Sequence, residues 1–200
     1  MITSFAREKG QASPAYVTVV AGLLFLALAF FAVGQAGATR NGTQTAADAA
    51  ALAAAKESRD KFRLELLAVP NPAILAAVFN LGQIGSWWGC HAAFPMAQKN
   101  NAVVDMTKGG GCSPAFNGRW GFTVHTKSQK PVGDTVLPGT EGEKGKGTAQ
   151  ATAELESRCV YTPVPKPLGT LTCKGVAPWL VGEGPPPDGP DLFDIRLAEN

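Results

Sequence analysis

The most apolar part of the chain lies near its start. The run Ala15–Val33 contains one polar side chain, Thr18, and no charged residue lies between Lys9 and Arg40. A helix rises about 1.5 Å per residue, so these residues, about 19 in number, can cross a hydrocarbon core of roughly 30 Å. The pattern predicts a transmembrane helix over residues 15–34.

An alanine-rich segment follows the apolar run and keeps a helical pattern. Alanine has the highest intrinsic helix propensity. One stripe recurs at steps of three and four residues and consists of Leu52, Ala55, Arg59, Phe62 and Leu66. This period predicts that the helix continues through a juxtamembrane segment over residues 35–69. Pro70 and Pro72 should end it, because proline lacks an amide hydrogen and disfavours helical backbone before it.

A tryptophan pair and a second helical pattern come next. Trp87 and Trp88 are adjacent, and we expect them to pack in a core, with the membrane interface as the alternative location. Residues 91–111 predict a second helix that places Val103 and Met106 on one stripe and ends in three glycines. The segment therefore supplies helix and aromatic surface to a domain beyond the membrane.

The hydrophobic period then changes from helical spacing to alternation, which predicts strands. The segments with this character are 119–128, 148–161, 168–175 and 193–197. Glu154 and Glu156 fall on the polar side of the second segment, and we assign both to a solvated face. The long connection before Thr148 is rich in glycine, proline and polar residues, which is typical of an exposed loop.

These patterns predict an α+β fold. A long transmembrane and juxtamembrane helix is followed by a small disulfide-bonded extracytoplasmic domain with an antiparallel sheet. We place that domain at residues 70–181. Residues 182–200 form a tail rich in proline and glycine that can add an edge strand.

The cysteines suggest disulfides rather than a metal site. Four of them lie beyond the apolar run: Cys90, Cys112, Cys159 and Cys173. An even number outside the membrane is typical of two disulfides, and three pairings are available. We favour the sequential pairing, since it closes the shortest loops. Zinc is the weaker interpretation, because His91 and His125 lack the paired spacing of metal ligands, and free thiols are a further alternative.

Composition and motifs exclude several function classes. The chain has 18 basic and 16 acidic residues and a net charge of +2, so it shows no bias toward nucleic acid. It contains no nucleophile elbow and no zinc-protease motif, and its glycine-rich stretch near Lys146 lacks the spacing of a phosphate loop. We therefore predict a protein that is not an enzyme, with no catalytic, cofactor-binding or metal residues.

Flanking charge predicts the orientation of the span in lipid. Arg7, Lys9 and the amino terminus precede it, whereas Arg40 is the only basic residue close after it. Positive charge is retained on the cytoplasmic side of membranes. We expect residues 1–14 to be cytoplasmic and the C-terminal domain to lie outside, as in a single-pass membrane protein.

Two sites could lead to processing of the N-terminus. Small residues before Ala38 would permit a signal peptidase to cut between Ala38 and Thr39, which would give a secreted enzyme or a protein acting on the cell wall. Cleavage between Gly10 and Gln11 would resemble prepilin processing. We favour a retained anchor, because the apolar run exceeds a typical secretory segment and the helical pattern continues past Thr39.

The prepilin alternative can be weighed against a charge requirement. The fifth and sixth residues after the leader glycine of Flp-type pilins are Glu-Tyr, whereas the corresponding positions here are Ala15 and Tyr16. That glutamate is thought to neutralise the terminal amine of a neighbouring subunit within an apolar bundle, where an unpaired charge is costly. The chain is therefore poorly suited to be a major fibre subunit, and a minor pilin processed after Gly10 is the remaining form of this alternative.

The segment Gln44–Ala55, QTAADAAALAAA, resembles the TadE/TadG-like proteins of actinobacterial Flp (Tad) pilus loci. In that family an N-terminal span is followed at once by such a helix. The stretch between Cys90 and Cys112 and the alternating strand Thr148–Leu155 are also similar to the family pattern. The resemblance implies a non-enzymatic component of pilus assembly or of the cell envelope. Its implied partners are other membrane proteins of a pilus or secretion system.

Small residues on the long helix suggest how such a partner would bind. They let helix backbones approach closely, both in lipid and outside it. We assign the interface to Ala46, Ala47, Ala50, Leu52 and Ala53. A homo-oligomer formed through this helix is one option, with membrane lipid around the span. A tethered binding module with a pocket near Trp87, Trp88 and Trp120 is a further alternative.

Overall fold

A single helix spans the first third of the chain in the computed structural model, which describes residues 12–115, 118–131, 145–164 and 168–198. Helix α1 is Ala12–Ala68, 57 residues long and therefore about 85 Å. Its most apolar part is entirely exposed, whereas its residues from about Thr39 onward contact the rest of the protein. Pro70 and Pro72 follow its end, as the sequence predicts.

The remaining elements are short. The helices are α2 (Pro72–Leu75), which continues into a π-helical turn (Ala76–Asn80), α3 (Cys90–Lys99) and α4 (Gly189–Leu192). The strands are β1 (Ala102–Val104), β2 (Cys112–Pro114), β3 (Gly121–Ser128), β4 (Thr148–Ser157), β5 (Cys159–Thr162), β6 (Thr170–Cys173), β7 (Trp179–Leu180) and β8 (Phe193–Leu197).

The strands form two antiparallel sheets. The larger sheet has the order β1-β3-β4-β8, and β2 pairs with β3 on the same side as β1. The smaller sheet has the order β5-β6-β7. The predicted α+β class, with a long apolar helix before a disulfide-bonded antiparallel domain, is confirmed.

The packed part of α1 lies against the larger sheet through very small side chains. Its buried face consists of Ala46, Ala47, Ala50, Ala51, Ala54 and Ala55, all of them fully buried. Ala151 and Ala153 of β4 belong to the same core. The chain just before α3 also approaches α1 closely, since a Cβ on Gly89 would clash with the carbonyl oxygen of Ala54. Glycine is therefore required at position 89.

An aromatic cluster fills the core at the end of α1 far from the apolar run. The ring of Phe62 lies 5.3 Å from that of Trp120 and 5.8 Å from that of Phe193, between ring centroids. Phe79 stacks on Phe193 at 5.1 Å. The Trp120 indole donates to the buried Ser58 hydroxyl at 3.0 Å, so its polar N–H is satisfied within the core.

The C-terminal segment belongs to this core. Phe193 opens β8, which pairs with the outer edge of β4. The chain reaches that edge along the long helix, where Arg63 donates to the carbonyl oxygen of Pro187 at 3.0 Å and pairs with Asp188 at 2.9 Å. Residues 182–198 therefore supply the predicted edge strand, which completes the larger sheet.

The two disulfides join cysteines that are neighbours along the chain. Cys90–Cys112 links the start of α3 to β2. Cys159–Cys173 links β5 to β6 at directly opposed positions. Neither free thiols nor a cysteine metal site remains, since all four sulfurs are paired.

The second helix is shorter than the sequence predicts. It ends at Lys99, and Val103 lies in a strand that pairs with Lys127. The turn between them requires a left-handed residue, which Asn101 supplies at φ 58°. Asparagine tolerates this conformation better than most residues. The predicted stripe through Val103 and Met106 was therefore wrong.

Two further predictions about side chains were wrong. Glu154 is buried, with 5% of its surface exposed, and accepts a hydrogen bond from Arg119 at 3.0 Å. A buried carboxylate requires such a partner.

Trp87 and Trp88 are 63% and 73% exposed and project from a loop near Ser58, whereas Trp120 is buried. Ser58 lies about 30 Å of helix beyond Ala38, so the pair is also far from a membrane interface.

Truncating Phe193 to alanine should cost about 3–5 kcal/mol of unfolding free energy, because it removes the ring shared by Phe62, Phe79 and Trp120. Denaturant unfolding of the detergent-solubilised chain, followed by tryptophan fluorescence, measures the change. The control is Leu197→Ala on the same strand, which is partly exposed and should cost less than about 1 kcal/mol. Equal losses for the two variants would contradict the burial of the tail.

Candidate partner-binding groove

The helix face assigned to a partner from the sequence is largely occupied by the protein itself. Ala46, Ala47 and Ala50 are fully buried where α1 packs on the larger sheet and on α3, so no separate helix can reach them in this fold. Leu52 and Ala53 point elsewhere and are half-buried. These two residues line a groove between α1 and α3, on the side of α1 away from the sheet.

The groove is apolar along its floor and has a cavity volume of about 610 Å³. The floor consists of Ala49, Leu52, Ala53, Leu64, Ala92, Pro95 and Met96. Leu64 is 56% exposed, a large fraction for a leucine next to other apolar side chains. An open apolar surface of this kind is typical of a protein interaction site.

Helix α3 forms one wall because it is held against α1 at its N-terminus. Glu57 of α1 accepts a hydrogen bond from the backbone N–H of Ala92 at 2.7 Å. A carboxylate at this position satisfies a free amide and complements the helix dipole. The Cys90–Cys112 disulfide ties the same end of α3 to β2. The groove is therefore preformed in the chain alone.

Charged residues of both signs surround the floor. They are Lys56, Glu57, Asp60 and Lys61. Asp60 also lies 3.3 Å from the guanidinium of Arg59, while the two lysines are exposed. The balance of charges favours a partner whose own surface is mixed rather than strongly acidic or basic.

The described residues offer little for catalysis. Within the described ranges, no three His, Cys, Asp or Glu side chains lie close enough together to hold a metal ion. His91 is 94% exposed and lies 3.9 Å from Glu57, whereas His125 is on β3. The apolar character of the groove suits binding of another helix.

Of the two predicted processing sites, only the one between Ala38 and Thr39 lies within the described residues. Gly10 and Gln11 lie outside the described residues. Ala38 and Thr39 are helical, and Thr39 accepts a hydrogen bond from the hydroxyl of Thr43 at 2.7 Å. The boundary between the exposed and the packed parts of α1 falls at this same position.

Asp105 closes a turn after β1 and has a lowered pKa. The hydroxyl of Thr107 donates to its carboxylate at 2.6 Å and is the main cause, and the backbone N–H of Thr107 adds a second bond. Burial opposes this effect, whereas the positive charges of Lys127 and Lys108 reinforce it. The turn therefore prefers the ionised aspartate.

Residues 10–57 match a family model, that of the Flp pilus-assembly TadE/G-like proteins. Over this segment the chain is similar to that family. The match covers about a quarter of the chain and contains both the apolar run and the alanine face of α1. It confirms the family resemblance seen at Gln44–Ala55. Neither the curated proteins nor the solved structures provided a significant match.

The family and the helix together support a membrane location. Helix residues Pro14–Ala68 contain an apolar window with a mean hydropathy of 2.6, none of which is buried in the protein. The chain therefore has a helix long and apolar enough to cross a membrane, and that helix overlaps the segment similar to the Flp pilus-assembly TadE/G-like proteins.

Replacing Asp105 with asparagine should destabilise the domain at neutral pH and not in acid. Because the folded-state pKa is lowered, the ionised carboxylate contributes stability above its unfolded pKa, and the contribution is lost as pH falls through the folded value. Denaturant unfolding of the parent and Asp105→Asn chains across this range measures the difference. A difference that persists unchanged in acid would contradict the assignment.

Proposed function

We propose that this chain is a non-enzymatic, single-pass membrane component of Flp/Tad pilus assembly. Its N-terminus lies in the cytoplasm, and it displays the α+β domain outside. Partner helices of other pilus or secretion-system membrane proteins bind in the groove between α1 and α3. The main support is the continuity of α1, which passes from an exposed apolar part to a domain-packed part within one helix.

That continuity suits a retained anchor. The apolar part has no protein against it, so lipid is the surrounding that would cover it without loss of hydrophobic free energy. Its backbone amides are bonded within the helix, as a lipid environment requires. The domain is held directly at the bilayer, since the chain at Gly147 packs so near α1 that a Cβ built there would lie 3.4 Å from the Thr39 side chain.

The groove suits a helix as its occupant. Amphipathic helices commonly bind by laying an apolar stripe into a groove. Ala53 and Ala92 keep its floor low, so a partner backbone can approach closely, while Leu64 and Met96 supply apolar contact area. A second copy of the chain and a different pilus component are both compatible with this surface.

A minor pilin processed after Gly10 is the second candidate. The same continuity of α1 favours it, because a subunit that leaves the membrane for a fibre needs an exposed apolar helix joined to a domain. Ala15, where Flp-type pilins carry glutamate, argues against a major subunit. A secreted enzyme released by cleavage after Ala38 has less support, since the described residues offer no catalytic cluster with His91 or His125.

If the anchor is retained, the mature protein should keep the residues before Gln11 together with the whole apolar run. Intact-mass measurement and N-terminal sequencing of the protein purified from the membrane fraction test this. A start at Gln11 would replace the proposal by the minor pilin, and a start at Thr39 would replace it by the secreted alternative.

Replacing Leu64 with glutamate should weaken partner association about tenfold or more, because a charge at the apolar floor must be desolvated on binding. Crosslinking in membranes to pilus-assembly subunits measures it. Val160→Glu is the matched control, since Val160 is 61% exposed and lies on β5, outside the groove lining. Unchanged crosslinking in the folded Leu64 variant would contradict the groove.

A further inference from the structure

A polar cavity lies at the end of the domain nearest the apolar run. It has a volume of about 440 Å³ and is bounded by α1 and by the turns that follow α3 and β3. Thr39 and Thr43 form its helical wall, and Asn101, Ser128 and Lys130 lie on the opposite side. The cavity is distinct from the partner groove, which lies further along α1.

The height of the cavity corresponds to the headgroup layer of a bilayer. Ala38, at its lower rim, follows Val33 by five residues, or about 7.5 Å of helix. Thr43 lies about 15 Å beyond Val33. The polar layer outside a hydrocarbon core is roughly 5–8 Å thick on each side. The lower part of the cavity would therefore open among lipid phosphates.

The turns that form the cavity are held by their own hydrogen bonds. The N–H of Gln129 donates to the carbonyl of Asn101 at 3.0 Å. The Ser128 hydroxyl donates to the carbonyl of Lys130 at 2.7 Å and accepts from the N–H of Gly147 at 3.0 Å. These bonds fix the backbone at Lys130 and leave its exposed ammonium free to extend toward the bilayer.

Positive charge is concentrated at this level. Arg40 follows Thr39 on α1 and is exposed, and Lys99 is in the last turn of α3, immediately before the cavity residue Asn100. Among the described residues, the first carboxylate of α1 is Asp48, about 12 Å further from the span than Arg40. Asp105 lies about 10 Å along the chain from Ala102, the first residue of β1, which follows the cavity residue Asn101.

We propose that this cavity, its lining cation Lys130 and the exposed cations Arg40 and Lys99, which adjoin lining residues along the chain, form a binding site for the headgroup of an anionic phospholipid. The inference rests on the proposed membrane anchoring. The phosphodiester lies at the mouth of the cavity near Lys130, with the side chains of Thr39 and Asn101 as hydrogen-bond donors. Residues 132–144 are outside the described ranges and form no part of the site.

The site holds the cavity end of the domain against the membrane surface. Attraction between cations and an anionic bilayer is short-ranged and falls off within a Debye length. The attraction therefore requires the cavity end of the domain to lie directly on the lipid surface. The distance from Val33 to Ala38 is short enough to place it there. Such contact fixes the height of the domain and the direction in which the partner groove faces.

The test compares two membranes. The full chain is reconstituted in nanodiscs of phosphatidylcholine alone and in nanodiscs containing about one third phosphatidylglycerol. Amide hydrogen exchange is followed at Asn101, Gln129 and Lys130. We expect exchange to be several-fold slower with phosphatidylglycerol, and the slowing to weaken as salt is raised.

Matched variants identify the residues responsible. The triple variant Arg40→Gln, Lys99→Gln and Lys130→Gln should lose the slowing. The control, Lys108→Gln, Lys174→Gln and Arg196→Gln, removes the same number of exposed cations outside this cavity and should keep the slowing. Every substituted side chain is exposed, and thermal unfolding verifies that both variants fold.

Several outcomes would overturn the inference. Equal exchange in the two membranes would do so, as would slowing that survives in the triple variant. Equal slowing by inorganic phosphate added to neutral nanodiscs would show a general phosphate site instead of a lipid site. Loss of the chain from nanodiscs on alkaline washing is a separate result, since it would refute the membrane anchoring on which the site depends.

Discussion

The structure depends on one uninterrupted helix whose first part has no protein packed against it and whose second part packs against the domain. Helix α1 presents large apolar side chains over its first part and alanines over its second part, and the backbone continues through the change near Ala38. Large side chains suit lipid, where contact area is gained without a fixed partner. Alanine suits the second part, because the larger sheet must lie close enough to bury the helix backbone. Helix α3 and strands β3, β4 and β8 all pack against this helix.

Close packing on one face determines what is available on the other. The sheet and α3 together bury the alanines, and α3 covers only part of the remaining helix surface, so the groove at Leu52 and Ala53 is left open. The hydrogen bond from Ala92 to Glu57 and the Cys90–Cys112 disulfide keep that opening from collapsing. A partner that binds there needs no rearrangement of the domain, which lowers the entropic cost of association.

Local patterns in the sequence were enough to predict the long helix, the alternating strands and the disulfide framework. What failed required contacts between distant parts of the chain. Burial of Glu154 depends on Arg119, which lies 35 residues away along the chain. The end of the second helix depends on the left-handed turn at Asn101 and on pairing with β3. Small residues such as Ala46 and Ala50 permit another backbone to approach closely. That backbone can belong to a partner helix or to the same protein, and the periodicity of the sequence does not show which of them it is.

The unbroken course of α1 has a mechanical consequence. From Arg40 to Ala68 the helix extends about 42 Å, and no proline interrupts it. Membrane helices commonly tilt by about 20° or more, and their tilt responds to bilayer thickness and neighbouring spans. If this helix leans by a further 10°, simple geometry moves its far end sideways by about 7 Å. Because the helix continues from the apolar run into the domain, a small change in helix tilt within the lipid produces a larger sideways displacement of the domain.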